Sequence, residues 1–63
     1  MSPREQARKE LTDAGYMLKR HGANHDIYYH PGIGRSIPLK RHQFSENTLR
    51  YIRKEIRQQG GMI

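Results

Sequence analysis

The sequence predicts an α+β domain of order α-β-β-β-α, a three-stranded antiparallel sheet carrying two helices on one face. Three observations predict it. Apolar residues recur at helical spacing near both ends of the chain. Three short segments of strand character lie between those ends. Stretches rich in Gly, Pro and Asn separate the strands. With 63 residues and no interdomain linker or repeat, residues 1–63 form one domain.

The first helix begins at Ser2-Pro3-Arg4-Glu5, a capping box with Pro at the first helical position. Ala7, Leu11 and Ala14 form its apolar face, and Gly15 stops it. The strands are expected over residues 16–20, 25–30 and 35–39, with turns at Gly22-Ala23-Asn24 and Pro31-Gly32-Ile33-Gly34. Pro38 cannot donate to a ladder, so the third strand is expected at an edge or ends there. Alternation places Tyr16, Leu18, Ile27, Tyr29, Ile37 and Leu39 on the buried face. Met17, Lys19, Asp26, Tyr28 and Ser36 then point outward. The second helix has Ser45 as N-cap, and Phe44 and Leu49 as a hydrophobic staple. Its core stripe is Leu49, Ile52 and Ile56. Arg50, Arg53, Lys54 and Arg57 form a basic arc beside that stripe. Gly60-Gly61 ends the helix, leaving Met62-Ile63 as a frayed tail.

Composition excludes several classes of function. There is no Cys, hence no disulfide framework, thiolate metal site or Cys nucleophile. The chain is too short for a large cofactor-binding fold. The longest apolar run is far below a membrane span, neither helix has the bulky apolar face of a membrane-surface helix, and the N-terminal residues lack a signal-peptide core. A cytoplasmic protein is expected. The core is small for an unstapled domain, which suggests a stabilising protein partner. Twelve Lys and Arg against six Asp and Glu give a formal charge of +6. That excess on so short a chain points to a polyanionic partner, with nucleic acid foremost.

One stretch concentrates candidate chemistry. Residues 19–28 place Lys19, Arg20, His21 and the Gly22 turn just ahead of His25 at the mouth of a strand. RNA cleavage through the ribose 2′-hydroxyl needs a base for that proton, an acid for the departing 5′-oxygen, and cations for the phosphorane charge. Histidine suits both proton transfers because its pKa lies near neutrality. Lys19, Arg20, Lys40 and Arg41 are the candidate cations. Lys40-Arg41-His42-Gln43 enters the second helix as a short basic loop suited to phosphate contact. The histidine spacings do not fit a zinc site, since the region is turn and strand and no Cys or carboxylate pair completes it. The carboxylates Asp13, Asp26, Glu46 and Glu55 show no pairing suggestive of a two-carboxylate site. Tyr28 and Tyr29 are candidates for stacking on bases.

Four stretches together resemble one known family. Leu11-Thr12-Asp13-Ala14-Gly15-Tyr16 is similar to its helix end, and Gly22-Ala23-Asn24-His25-Asp26-Ile27-Tyr28 to its G-[SA]-x-H-x-x-[YF] signature. Pro38 with Arg41-His42, and the helix Thr48-Leu49-Arg50-Tyr51-Ile52-Arg53-Lys54-Glu55-Ile56, complete the match over about residues 5 to 58. The chain thus resembles the HicA toxins, mRNA interferases of type II toxin–antitoxin systems. The resemblance implies a fold similar to double-stranded-RNA-binding domains and metal-independent cleavage of mRNA. It implies that His25 is the catalytic residue, and that a cognate HicB-like antitoxin binds the toxin and covers that histidine. Ala23-Asn24 stands where many relatives carry hydroxyl residues, and Asn24 offers a hydrogen-bonding amide there. Residues and resemblance together give Lys19, Arg20, Gly22, Asn24, Lys40 and Arg41 as the RNA-binding set, with no metal and no cofactor. His21, His42 and Lys19 are the candidates for the second proton-transfer group.

Other functions share part of this pattern. A non-catalytic module of the same fold would use the same basic surface to grip RNA. A DNA-binding domain would insert the second helix into a major groove, but that helix lacks a preceding helix-turn partner. An interaction protein would simply meet an acidic partner chain.

Overall fold

The computed structural model describes residues 1–60. The order is α1 (Pro3–Asp13), β1 (Met17–His21), β2 (His25–His30), β3 (Arg35–Lys40) and α2 (Glu46–Gly60). This is the expected α-β-β-β-α layout. The expected tail at Met62-Ile63 lies outside the described residues.

Both helix starts follow from local capping. The Ser2 hydroxyl accepts from the Glu5 amide at 3.2 Å, and the Glu5 carboxylate accepts from the Ser2 amide at 3.2 Å. These reciprocal bonds satisfy donors that the first turn leaves free. At the other end of α1, Gly15 takes φ +99°, where a side chain is strained. The Tyr16 amide then donates back to the Leu11 carbonyl at 2.9 Å. At α2, Ser45 Oγ accepts weakly from the Thr48 amide at 3.4 Å. Phe44 is half-buried against the core that contains Leu49.

The sheet order is β1-β2-β3, antiparallel throughout. Pro38 therefore sits in an edge strand, opposite Ile27. Ala7, Leu11, Tyr16, Tyr28, Ile37, Leu39, Leu49 and Ile52 form one buried cluster, with Ala14 and Ile56 half-buried beside it. Its members come from both helices and from one sheet face, so the helices cover that face and leave the other open. Arg53 reinforces the helix pair through Nε and Nη2, both donating to the Glu10 carboxylate at 2.7–3.0 Å.

The central strand has the opposite facing from the one expected. Tyr28 and Asp26 are buried, at 4% and 7% exposure, while Ile27 and Tyr29 are only half-buried. The register explains the inversion. Tyr28 is the cross-strand partner of Ile37, and Asp26 of Leu39. Partners in an antiparallel ladder share a face, so the fully buried Ile37 and Leu39 carry their partners to the helix side. Tyr28 satisfies its hydroxyl there by accepting from Arg8 Nε at 3.2 Å. Leu18, expected inside, is 45% exposed. It lies on β1, an edge strand that is exposed along its length.

Candidate functional site

The β1–β2 hairpin builds the centre of the site. His21 and Asp26 are cross-strand partners, and the Gly22 amide donates to the His25 carbonyl at 2.6 Å. Ala23 and Asn24 are left at the tip. A Cβ on Gly22 would stand 2.9 Å from the His25 carbonyl oxygen, closer than real Cβ atoms approach. The turn therefore requires glycine at this position, and it sets where β2 begins.

A bulge interrupts β1. Leu18 pairs with Tyr28 and Arg20 with Ile27, leaving Lys19 as an extra residue. Lys19 and Arg20 together oppose Ile27, and both turn toward the open face. The Lys19 ammonium lies 4.6 Å over the Tyr29 ring, a cation–π contact on that same face. His25 has the parity of Ile27 and Tyr29, and its cross-strand partner is Lys40. The open face thus carries His25 with Lys40 beside it, and Lys19 and Arg20 further along. His25 is half-buried at its margin.

The helix side of the same hairpin end holds a different cluster, centred on Asp26. Its Oδ1 accepts from Arg41 Nε at 2.8 Å and lies 2.8 Å from His21 Nδ1. Its Oδ2 accepts from Arg4 Nη2 at 2.6 Å. The hydrogen bond with His21 and the Arg41 guanidinium outweigh the effect of burial and hold the Asp26 carboxyl at about 2. Arg41 also donates through Nη2 to the Gly22 carbonyl, and its amide donates to the Asn24 carbonyl at 3.2 Å. Arg4 Nε donates to the Lys40 carbonyl at 3.0 Å. One carboxylate therefore ties the start of α1, the hairpin tip and the end of β3 around His25.

The structure sorts the expected site residues into three groups. Lys19, Arg20, Lys40 and His25 share the open face. Gly22 and Asn24 form the turn that presents His25. Arg41 is engaged inside the chain by Asp26 and the turn, which gives it a positioning part. The candidate second proton-transfer groups separate as well. Lys19 lies on the open face, His42 is exposed in the β3–α2 loop, and His21 faces Asp26 on the helix side. His30 is packed edge-on to Tyr16, with ring centroids 5.1 Å apart. Among the described residues, no group of three or more His, Asp or Glu side chains is arranged to hold a metal ion.

Two residues of the site escaped the sequence reading, Asp26 and Arg4. A signal for Asp26 existed. A two-residue hairpin tip at 23–24 makes residues 21 and 26 cross-strand neighbours, which pairs a histidine with a carboxylate. Nothing local in the sequence brings Arg4 there, because it arrives through the packing of α1. A groove of about 470 Å³ lies elsewhere, between the helices, lined by Glu10, Asp13, Ala14, Arg53, Ile56 and Arg57.

No protein-family model, curated protein or solved structure matches the chain. No helix among the described residues is long and apolar enough to cross a membrane.

Proposed function

We propose that the protein is a HicA-type mRNA interferase, a metal-independent endoribonuclease and toxin neutralised by a cognate HicB-like antitoxin in the cytoplasm. The observation that carries this reading is the placement of His25, Lys40, Lys19 and Arg20 on one and the same uncovered sheet face. A polyanion meets a histidine there among three cations. Cleavage proceeds by attack of a ribose 2′-oxygen on the adjacent phosphorus. The 2′-O–P bond forms and the P–O5′ bond breaks, giving a 2′,3′-cyclic phosphate and a 5′-hydroxyl end. His25 acts as general base on the 2′-hydroxyl proton or as general acid toward the 5′-oxygen. Lys19 is the candidate for the complementary transfer, and its ammonium must leave the Tyr29 ring to reach a phosphate at His25. Arg20 and Lys40 stabilise the phosphorane charge. Gly22 and the Asp26 cluster hold His25 in place. The open face is also where a HicB-like antitoxin would cover His25 in a hetero-oligomeric complex.

The test is incubation of purified protein with a long single-stranded RNA in EDTA, beside the His25→Ala variant. Cleavage by the wild type alone, leaving 5′-hydroxyl ends, supports the assignment. Equal cleavage by both preparations removes His25 from the chemistry. Binding by both without cleavage, with and without translating ribosomes, favours the non-catalytic RNA-binding module.

A further inference from the structure

The uncovered sheet face has an apolar character as well as a charge. Ile27 and Tyr29 follow His25 along β2 at two-residue spacing, so Tyr29 lies about 13 Å from His25 along the strand. Met17 is the partner of Tyr29 on β1, and Pro38 is the partner of Ile27 on β3. Met17 is 57% exposed and Pro38 is exposed. A strip of apolar side chains therefore runs down the middle of the face, with Lys19, Arg20 and Lys40 around it.

Among the described residues, no carboxylate shares that face. Of the six acidic residues, Glu5, Glu10 and Asp13 belong to α1, and Glu46 and Glu55 to α2. The sixth, Asp26, turns to the helix side, where Arg4, Arg41 and His21 engage its oxygens. Positive charge on the open face is thus uncompensated. It surrounds an aromatic ring whose π-face already receives a cation.

We infer that this face binds single-stranded RNA, with an unpaired base stacked on the Tyr29 ring beside Met17 and the flanking phosphates on Lys19, Arg20 and Lys40. The inference deepens the ribonuclease reading and rests on it for the choice of RNA among polyanions. A duplex hides its base faces in its own stack, whereas a single strand offers them to an aromatic side chain on a sheet. Lys19 is exposed and long, so an arriving base displaces its ammonium from the ring onto the adjacent phosphate. Tyr29 then fixes one nucleotide while a neighbouring phosphodiester lies at His25.

The experiment measures fluorescence anisotropy of a labelled 2′-O-methyl oligouridylate, which lacks the nucleophile and cannot be cut by the proposed route. Tyr29→Thr keeps a strand-forming residue but removes the ring, and should weaken binding about five- to a hundred-fold. Tyr29→Phe should bind like the wild type. Lys19→Gln should lower the slope of log affinity against log salt by about 0.7. Circular dichroism establishes that each variant folds. Tighter binding of an RNA duplex, equal binding of polyglutamate, or wild-type affinity in folded Tyr29→Thr would overturn the inference. So would a loss confined to an Arg50→Gln, Lys54→Gln double variant, which would put the strand on α2. The two readings fail separately. RNA cleavage unaffected by Tyr29→Thr removes the stacking site and leaves the nuclease. Tyr29-dependent binding by a wild type that cuts no RNA removes the nuclease and leaves the site.

Discussion

His21 and Asp26 face one another across the β1–β2 hairpin, with Nδ1 2.8 Å from Oδ1. The carboxylate behind that histidine is 7% exposed and also accepts from Arg4 and Arg41. This arrangement makes Asp26 the tie between three chain segments, and an Asn in its place lacks the negative charge and one of the two acceptor oxygens. Asp26→Asn should destabilise the fold by about 2–4 kcal/mol, because two guanidinium groups lose their counter-charge while partly buried. Urea unfolding followed by circular dichroism measures the loss. An unchanged midpoint would remove Asp26 from the framework.

The same carboxylate sets an acid limit. Its pKa in the folded chain is about 2, below the ordinary aspartate value near 4. A depressed folded-state pKa contributes stability that is complete above the unfolded value and disappears as pH falls toward the folded one. Stability should therefore decline from about pH 4 down through about pH 2. Part of the decline belongs to Glu10, which its hydrogen bonds with Arg53 hold low. Asp26→Asn should make the profile shallower without flattening it, as a series of urea midpoints across this pH range would record.

Tyr28 and Tyr29 are adjacent and chemically identical, yet they face opposite ways. Tyr28→Ala should cost about 3–5 kcal/mol, since a core ring and its bond from Arg8 are lost. Tyr29→Thr should cost less than about 1 kcal/mol while impairing RNA binding. Thermal melts of the two variants check the contrast, and equal losses would contradict the assigned register.

Gly15 and His30 meet where α1 passes into the sheet. A Cβ on Gly15 would lie 2.7 Å from His30 Nε2, and the imidazole is held against Tyr16. The positive φ adds strain for any L side chain. Gly15→Ala should lower stability by about 1–3 kcal/mol, to be measured by thermal unfolding.

Gly22→Ala tests whether the turn serves the proposed chemistry. The added methyl must push away the His25 carbonyl, which displaces the start of β2. RNA cleavage should fall at least ten-fold in a chain that still shows native circular dichroism. Retained full activity would mean that the position of His25 is not critical.

The helices were legible because their signals are local. Ser2-Pro3-Arg4-Glu5 forms the capping box its spelling announces, and the stripe of Leu49, Ile52 and Ile56 packs as its spacing requires. The strands and their order were legible as well. The facing of β2 was not, because Asp26-Ile27-Tyr28-Tyr29 presents apolar residues at both parities. Its partners on β3 decide the matter, and register is a tertiary property. The gathering of Lys19 and Arg20 on one face was hidden for a related reason. Simple alternation sends neighbours to opposite sides, and only the bulge turns them together. Alternation alone points Asp26 outward, and two of the partners that hold it inside, Arg4 and Arg41, lie far from it along the chain.

The bulge at Lys19 also bears on how the molecule meets other copies of itself. A three-stranded sheet has two borders with free backbone groups, each a template for strand addition. On β3 the missing amide of Pro38 breaks the row of donors. On β1 the extra residue throws the row out of step. Neither border offers an uninterrupted ladder to an incoming strand, so the chain keeps one broad sheet surface uncovered without inviting edge-to-edge polymerisation.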